Sequence, residues 1–111
     1  MNIRVEQEAS ITVIGLSGRL DGTTVQQVET AFLQELEKGD AQFVFDVTEL
    51  VYVSSVGLRV LLLAAKKTRA AGGKIALFGL QDNVREVFEV SGFHTIFSLF
   101  SSLDEAKQFV V

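Results

Sequence analysis

Two adjacent serines, Ser54 and Ser55, are the residues of this sequence with the clearest potential for chemistry. They lie in the stretch DVTELVYVSSVGLRVLL, between an apolar strand that leaves through a short turn and an apolar helix. A serine at the start of a helix is a favoured N-cap, because its oxygen accepts a hydrogen bond from an amide of the first turn. We assign that role to Ser54. One serine is enough to cap the helix, so the hydroxyl of Ser55 remains available for catalysis, ligand binding or regulation.

The rest of the sequence gives little support to catalysis. A serine nucleophile needs a base within hydrogen-bond reach, and the one histidine, His94, fits better as a polar residue between a loop and a strand. VSSVG lacks the first glycine of a nucleophile elbow, and neither GRLDG nor AAGGK suits a phosphate-binding loop. The chain has no Cys, and its carboxylates suggest no acid–base pair or metal cluster. We predict a protein that is not an enzyme and that carries no metal and no cofactor.

Length and composition indicate a single folded domain over residues 1–111. The apolar fraction of 48% and the charged fraction of 22% are ordinary for a globular protein. The net charge of −4 is unfavourable for a nucleic-acid partner, which needs clustered cations. The start lacks the apolar segment of a signal peptide, and the longest apolar-rich run, 56–65, is too short to span a bilayer. We expect a cytoplasmic protein with no nucleic-acid partner and no membrane insertion.

The spacing of apolar residues predicts strands that alternate with helices. A helix over GTTVQQVETAFLQELEKGD is expected to begin with a capping box of Thr23 and Gln26, and the last helix with Ser102 as its cap. The predicted order is NIRVEQEASITVIGLSGRL as two strands with EAS as their turn, that first helix, strand AQFVFDV, helix SVGLRVLLLAAKKTRAAGG, strand KIALFGL, helix DNVREVFEVSG, short strand HTIFSLF and helix SSLDEAKQFV.

This order predicts an α/β sandwich with a mixed, mostly parallel central sheet of about four to five strands and about four helices. The first two strands would form an antiparallel hairpin at one edge. In open sheets of this kind, sites gather where strands end and helices begin. Ser54 and Ser55 lie at such a place.

The second predicted helix has one face suited to burial and one that shows apolar residues among charges. At about 100° per residue, its small and apolar residues fall on one side. The opposite side carries Arg59, Lys66 and Leu63, with Ser55, Val56 and Leu62 nearby. Apolar residues rimmed by charge on an exposed face are typical of a surface that binds a partner.

These stretches together resemble the STAS domain, in particular bacterial anti-sigma factor antagonists, over nearly the whole length. Asp46–Thr48 match the family's sequence of Asp, an aliphatic residue and Ser or Thr. Ser55 falls at the family's phosphorylated serine, and Gly57 at its glycine. Ser54 stands where the family has an acidic residue, which makes Ser54 a second candidate acceptor. The resemblance rests on LSGRLDGTTV, FDVTELVYVSSVGLRVLL and AGGKIALFGL.

The resemblance implies a regulator that binds an anti-sigma factor with serine kinase activity and thereby releases a sigma factor. Phosphorylation of Ser55 would end this binding, and a serine phosphatase would restore it. With the exposed face of the second helix, we predict a partner-binding surface that comprises Asp21, Ser54, Ser55, Val56, Arg59, Leu62, Leu63 and Lys66.

The alternative is a STAS module with another task. The N-terminus of the second helix would then bind a nucleotide or another small anionic ligand, or the domain would act as a scaffold in a stress-sensing or lipid-transport assembly. No Lys or Arg occurs in residues 48–58, which is unfavourable for a strong phosphate site.

Overall fold

The computed structural model describes residues 1–111 and confirms the predicted α/β architecture. Five strands form one sheet in the order β1-β2-β3-β4-β5, in which β1 and β2 are antiparallel and the other neighbours are parallel. None of the helices combines the length and apolar composition needed to cross a lipid bilayer. The elements are β1 Asn2–Glu8, β2 Ile11–Leu20, α1 Val25–Glu37, β3 Gln42–Val53, α2 Ser55–Ala70, β4 Lys74–Phe78, α3 Asp82–Val90, a 3-10 turn Phe93–Thr95, β5 Leu99–Phe100 and α4 Leu103–Val110.

Helices cover both faces of the sheet to different extents. The larger core, which includes Phe32, Phe43, Phe45 and Phe88, lies between the sheet and helices α1, α2 and α3. Val44 belongs to a smaller cluster that packs under α4. Neighbouring residues of a strand point to opposite faces, so the central strand is buried on both sides, as its continuous apolar run predicts.

Strand β3 is longer than the sequence indicates. We expected it to end near Val47 and to leave through a turn, but it continues to Val53 beside β2. From Gly15 to Ser17, β2 advances two residues while β3 advances three, from Asp46 to Glu49. A second extra residue of β3 follows between Leu50 and Tyr52. These bulges break the period of two that identifies a strand. The segment TELVYV therefore lacks the regular alternation that would have extended the predicted strand.

The start of α1 also differs from expectation. The predicted capping box of Thr23 and Gln26 is wrong, because the N-cap is Thr24 and no side chain caps the first turn. The Thr24 hydroxyl instead donates to the carbonyl of Arg19 at 2.8 Å. This bond attaches the start of α1 to the end of β2, five residues earlier in the chain, in place of a side-chain cap.

Two other helix ends agree better with the sequence, whereas the last strand does not. Ser102 caps α4 by accepting from the Glu105 amide at 3.4 Å. Gly72 follows the end of α2 with φ +80°, a conformation that glycine adopts without the strain of a side chain. The last strand is shorter than HTIFSLF suggests: Phe93–Thr95 form a 3-10 turn, and Leu99–Phe100 pair with β4.

Candidate functional site

Ser54 has the capping role that the sequence predicts. Its side-chain oxygen accepts a hydrogen bond from the Gly57 amide at 3.2 Å. Its own amide donates to the carbonyl of Leu20 at 3.0 Å, which joins the start of α2 to the end of β2. The half-buried hydroxyl of Ser54 is therefore committed to the fold.

Ser55 is the first residue of α2, is exposed, and its hydroxyl makes no hydrogen bond within the chain. The amides of a helix's first turn lack intrahelical acceptors and carry the positive end of the helix dipole. A negative group on this oxygen would meet a favourable local field. Of the two serines, Ser55 has the accessible oxygen.

Gly57 lets the helix begin close to the sheet. A methyl group at this position would lie 2.6 Å from the carbonyl oxygen of Leu20 and 2.9 Å from side-chain carbons of Leu20 and Val53. Any larger residue would push the start of α2 away from β2. The glycine that follows the two serines is thus required by packing.

The end of β3, which leads into the serines, is held by side chains of α3 and the residue before it. Strand β4 pairs with β3 only as far as Asp46, so the later carbonyls of β3 have no strand partner on that side. Gln81 donates its side-chain amide to the carbonyl of Thr48 at 2.8 Å, and Asn83 donates to that of Val51 at 2.8 Å. These two bonds connect α3 to the segment that positions Ser54 and Ser55.

Asp46 fixes the first bulge of β3. Its Oδ1 accepts from the amide of Thr48 at 3.1 Å and from the Thr48 hydroxyl at 2.7 Å, while Oδ2 accepts from Arg4 at 2.8 Å. Burial opposes ionisation of this carboxyl, but the hydrogen bonds from Thr48 and Arg4 outweigh it and lower its pKa. The motif of Asp46–Thr48 therefore shapes the strand that carries the site.

Two grooves flank the exposed ridge of α2. The larger, which we call the α2/α3 groove, has a volume of about 430 Å³ and is lined mainly by Ser55, Leu58, Asn83, Glu86, Val87 and Val90. The smaller, the α1/α2 groove, has about 180 Å³ and is lined by Val25, Glu29, Val56, Arg59, Val60 and Leu63. Ser55 and Val56 thus face different grooves.

The residues of α2 that we predicted to bind a partner do not all lie in one groove. Val56, Arg59 and Leu63 line the α1/α2 groove, and Lys66 is exposed further along the same helix. Leu62 is half-buried and packs against the larger core, so part of its role is structural.

Asp21 lies in the turn between β2 and α1. Its Oδ1 accepts from the Thr23 hydroxyl at 2.7 Å and from the Thr23 amide at 3.0 Å, and Oδ2 lies 3.6 Å from Arg19. Hydrogen bonds from the side chain and backbone of Thr23 lower the pKa of this carboxyl. The carboxylate stabilises its own turn and places a negative charge near the end of β2.

Sequence reasoning missed an exposed surface at the ends of β2 and β3. Val51 and Tyr52 are 47% and 38% exposed, and the Arg19 guanidinium lies 4.0 Å from the centre of the Tyr52 ring. Arg19 and Tyr52 are neighbours in the register of the two strands. The pairing depends on the second bulge of β3, so no local pattern in the sequence indicates it.

The chain is similar to known proteins over most of its length. Residues 2–106 match the family model of the STAS domain. BtrV of Bordetella bronchiseptica, assigned as an anti-sigma factor antagonist, is 36% identical over 106 residues, which cover 96% of this chain and 91% of BtrV. The anti-sigma-B factor antagonist of Listeria monocytogenes is 30% identical over 102 residues, covering 89% of this chain and 90% of that protein.

Solved structures show the same fold. A protein of Thermotoga maritima, assigned as an anti-sigma factor antagonist, matches with a TM-score of 0.91 and 17% identity, over 97% of this chain and 93% of the other. At this identity the likeness concerns the arrangement of helices and strands.

Proposed function

The chain belongs to the STAS domain family, and on that premise we propose that it is an anti-sigma factor antagonist. It binds an anti-sigma factor that has serine kinase activity, and so releases a sigma factor. Phosphorylation of Ser55 ends the binding. The names of two relatives, which are 36% and 30% identical to this chain, support this assignment.

The division of roles between the two serines is the observation that carries the proposal. Ser54 caps α2 and accepts from Gly57, whereas the exposed hydroxyl of Ser55 has no bond within the chain. A kinase therefore reaches the Ser55 oxygen without breaking the fold. Transfer to Ser54 would require loss of the cap, which is why we assign the acceptor to Ser55.

The proposed reaction is a phosphoryl transfer in which this chain is the substrate. The Ser55 Oγ attacks the γ-phosphorus of ATP, the bond from that phosphorus to the bridging oxygen breaks, and ADP leaves. The hydroxyl proton passes to a base of the kinase. A serine phosphatase reverses the modification by hydrolysis of the Oγ–P bond with water.

The phosphate acts on the complex more than on the fold. It adds about −1.5 to −2 charges at a helix N-terminus, where amides and the helix dipole stabilise an anion. A partner packed against the neutral hydroxyl would have to bury that dianion at high cost. Phosphorylated chain thus stays folded but no longer binds.

The exposed part of α2 supplies the rest of the proposed contact. Val56 and Leu63 offer apolar area in the α1/α2 groove, and Arg59 and Lys66 place positive charge beside it. Such an arrangement suits a partner surface with an apolar centre and acidic edges, where the charges increase the association rate. We include Asp21, whose carboxylate lies in the turn before α1, in the proposed contact.

The assignment is tested by incubating the chain with anti-sigma factor kinases of the same organism and ATP, followed by mass spectrometry of the peptide that contains both serines. We expect one phosphate on Ser55 in the wild-type chain and in Ser54→Ala. Ser55→Ala should bind the kinase and remain unmodified, and Ser55→Asp should bind weakly while staying folded. Phosphate on Ser54 alone, or on another residue, would show that the acceptor is wrongly assigned.

A further inference from the structure

The α2/α3 groove is a feature that the proposed contact through Arg59, Leu63 and Lys66 does not use. Its wall includes the buried side chain of Leu58 and the half-buried Val87. Val90 at its rim is 83% exposed, the largest exposed fraction among the large apolar residues of the chain. Removing such a surface from water favours association roughly in proportion to the apolar area covered. The groove is therefore suited to an apolar side chain.

The charge of the groove limits what fits beside that side chain. Glu86 is the one charged residue of the lining. It is exposed and forms no ion pair within the chain. Because Glu86 has no ion-pair partner and no Lys or Arg lines the groove, the group of a partner that would complement this carboxylate is a cation.

The groove is also physically joined to the acceptor serine. Ser55 lines one end of it. Asn83, which lines it too, donates to the carbonyl of Val51 at 2.8 Å, three residues before Ser54. An occupant of the groove would contact Ser55 directly and would pack on the helix that holds the end of β3.

We propose that the α2/α3 groove is a second contact for the partner, and that it binds a segment presenting an apolar side chain next to a Lys or Arg. The apolar group packs on Leu58, Val87 and Val90, and the cation pairs with Glu86 at the rim. A phosphate on Ser55 would place a dianion against the seated apolar group, which cannot solvate it. This inference rests on the proposed function, because it names the chemistry of the same partner.

Two substitutions test the groove, each with a matched control. Val90→Lys fills the rim and places a cation one turn after Glu86, a spacing that stabilises a helix, and Val5→Lys changes an exposed valine on β1 instead. Glu86→Lys reverses the charge of the lining, and Glu89→Lys reverses an exposed charge of the same helix outside it. Binding to an anti-sigma factor kinase of the same organism is measured by calorimetry, and folding by thermal melts.

We expect Val90→Lys to weaken binding about tenfold or more, and Glu86→Lys about fivefold. Both controls should stay within about twofold, and all four melting temperatures within about 3 °C of the wild type. If the wild-type chain binds but both groove variants bind equally well, the groove inference is wrong and the proposed function stands. If the wild-type chain binds none of the kinases, the proposed function fails and the inference fails with it. A wild-type dimer in light scattering that Val90→Lys dissociates would assign the groove to a second copy and overturn the inference.

Discussion

Arg4 and Asp46, which are 42 residues apart in the chain, form an ion pair across three strands at 2.8 Å. The side chain of Arg4 on β1 passes over Gly15 on β2 to reach Asp46 on β3, and the three residues are neighbours in the strand register. A methyl group on Gly15 would lie 2.6 Å from the central carbon of the guanidinium. The absence of a side chain at Gly15 thus allows the pair, and the pair supports the carboxylate that fixes the bulge before the site.

Replacement of Gly15 by alanine should displace the guanidinium and weaken the pair with Asp46. Arg4 is a flexible side chain that is 48% exposed, so we expect a loss of only about 1 kcal/mol in the free energy of unfolding. Urea denaturation measures it. In the background of Arg4→Ala the same Gly15→Ala change should cost little or even stabilise, because the clash is gone. Equal costs in both backgrounds would mean that the guanidinium does not lie over Gly15.

Asp46 should make stability depend on pH in the acid range. Its pKa in the folded chain lies below the ordinary value of 3.8, so the folded chain takes up this proton at lower pH than the unfolded chain. The stabilisation is complete above about pH 5 and is lost as the pH falls through the folded pKa. The difference in unfolding free energy between wild type and Asp46→Asn should therefore be largest near neutral pH and shrink below about pH 4. A difference that is constant from pH 7 to pH 3 would contradict this.

The two serines should differ in their effect on stability. Ser54→Ala removes the cap on Gly57 and should lower the free energy of unfolding by about 1 kcal/mol. Ser55→Ala removes an exposed hydroxyl with no bond in the chain and should change it by less than about 0.5 kcal/mol. Parallel urea titrations of the two variants measure both values. The opposite ranking would assign the capping role to Ser55.

The two leucines of α2 should separate binding from folding. Leu63 lines the α1/α2 groove, so Leu63→Ala should weaken partner binding by about 1–2 kcal/mol with a smaller loss of stability. Leu62 packs against the core while half-buried, so Leu62→Ala should cost about 1–2 kcal/mol of folding stability. Calorimetry with the partner and thermal melts measure the two effects. A melting temperature lowered by several degrees in Leu63→Ala would remove it from the proposed binding face.

The isolated chain should not bind nucleotides with micromolar affinity. A phosphate chain at the start of α2 would find helix amides but no Lys or Arg in residues 48–58. One helix terminus stabilises a charge by only about 0.3–1 kcal/mol when exposed. Calorimetry with ATP and GTP tests this on the wild-type chain. Saturable micromolar binding would favour the ligand-binding alternative over a switch that acts through a protein partner.

Much of the fold and part of the site were predictable because their signals are local. The apolar stripe of α2, with Leu61 and Ala64 inside and Arg59 outside, follows from helix periodicity. Ser54 as the cap follows from the chemistry of a hydroxyl beside first-turn amides. The predicted capping box at Thr23 is wrong because the helix begins one residue later, after Thr24, and because the Thr23 hydroxyl donates to Asp21 and the Thr24 hydroxyl to the carbonyl of Arg19.

The sequence by itself determined the order of helices and strands and the position of two hydroxyls at the start of α2, since backbone preference and side-chain period act over a few neighbouring residues. The tertiary structure decided that the Ser55 hydroxyl lies beside a groove between α2 and α3. It also decided that β3 continues through two bulges to Val53 and that Gly15 leaves room for Arg4 to reach Asp46. These features depend on strand register and helix packing, which bring together residues that are distant in the chain, and short-range periodicity carries no information about such contacts.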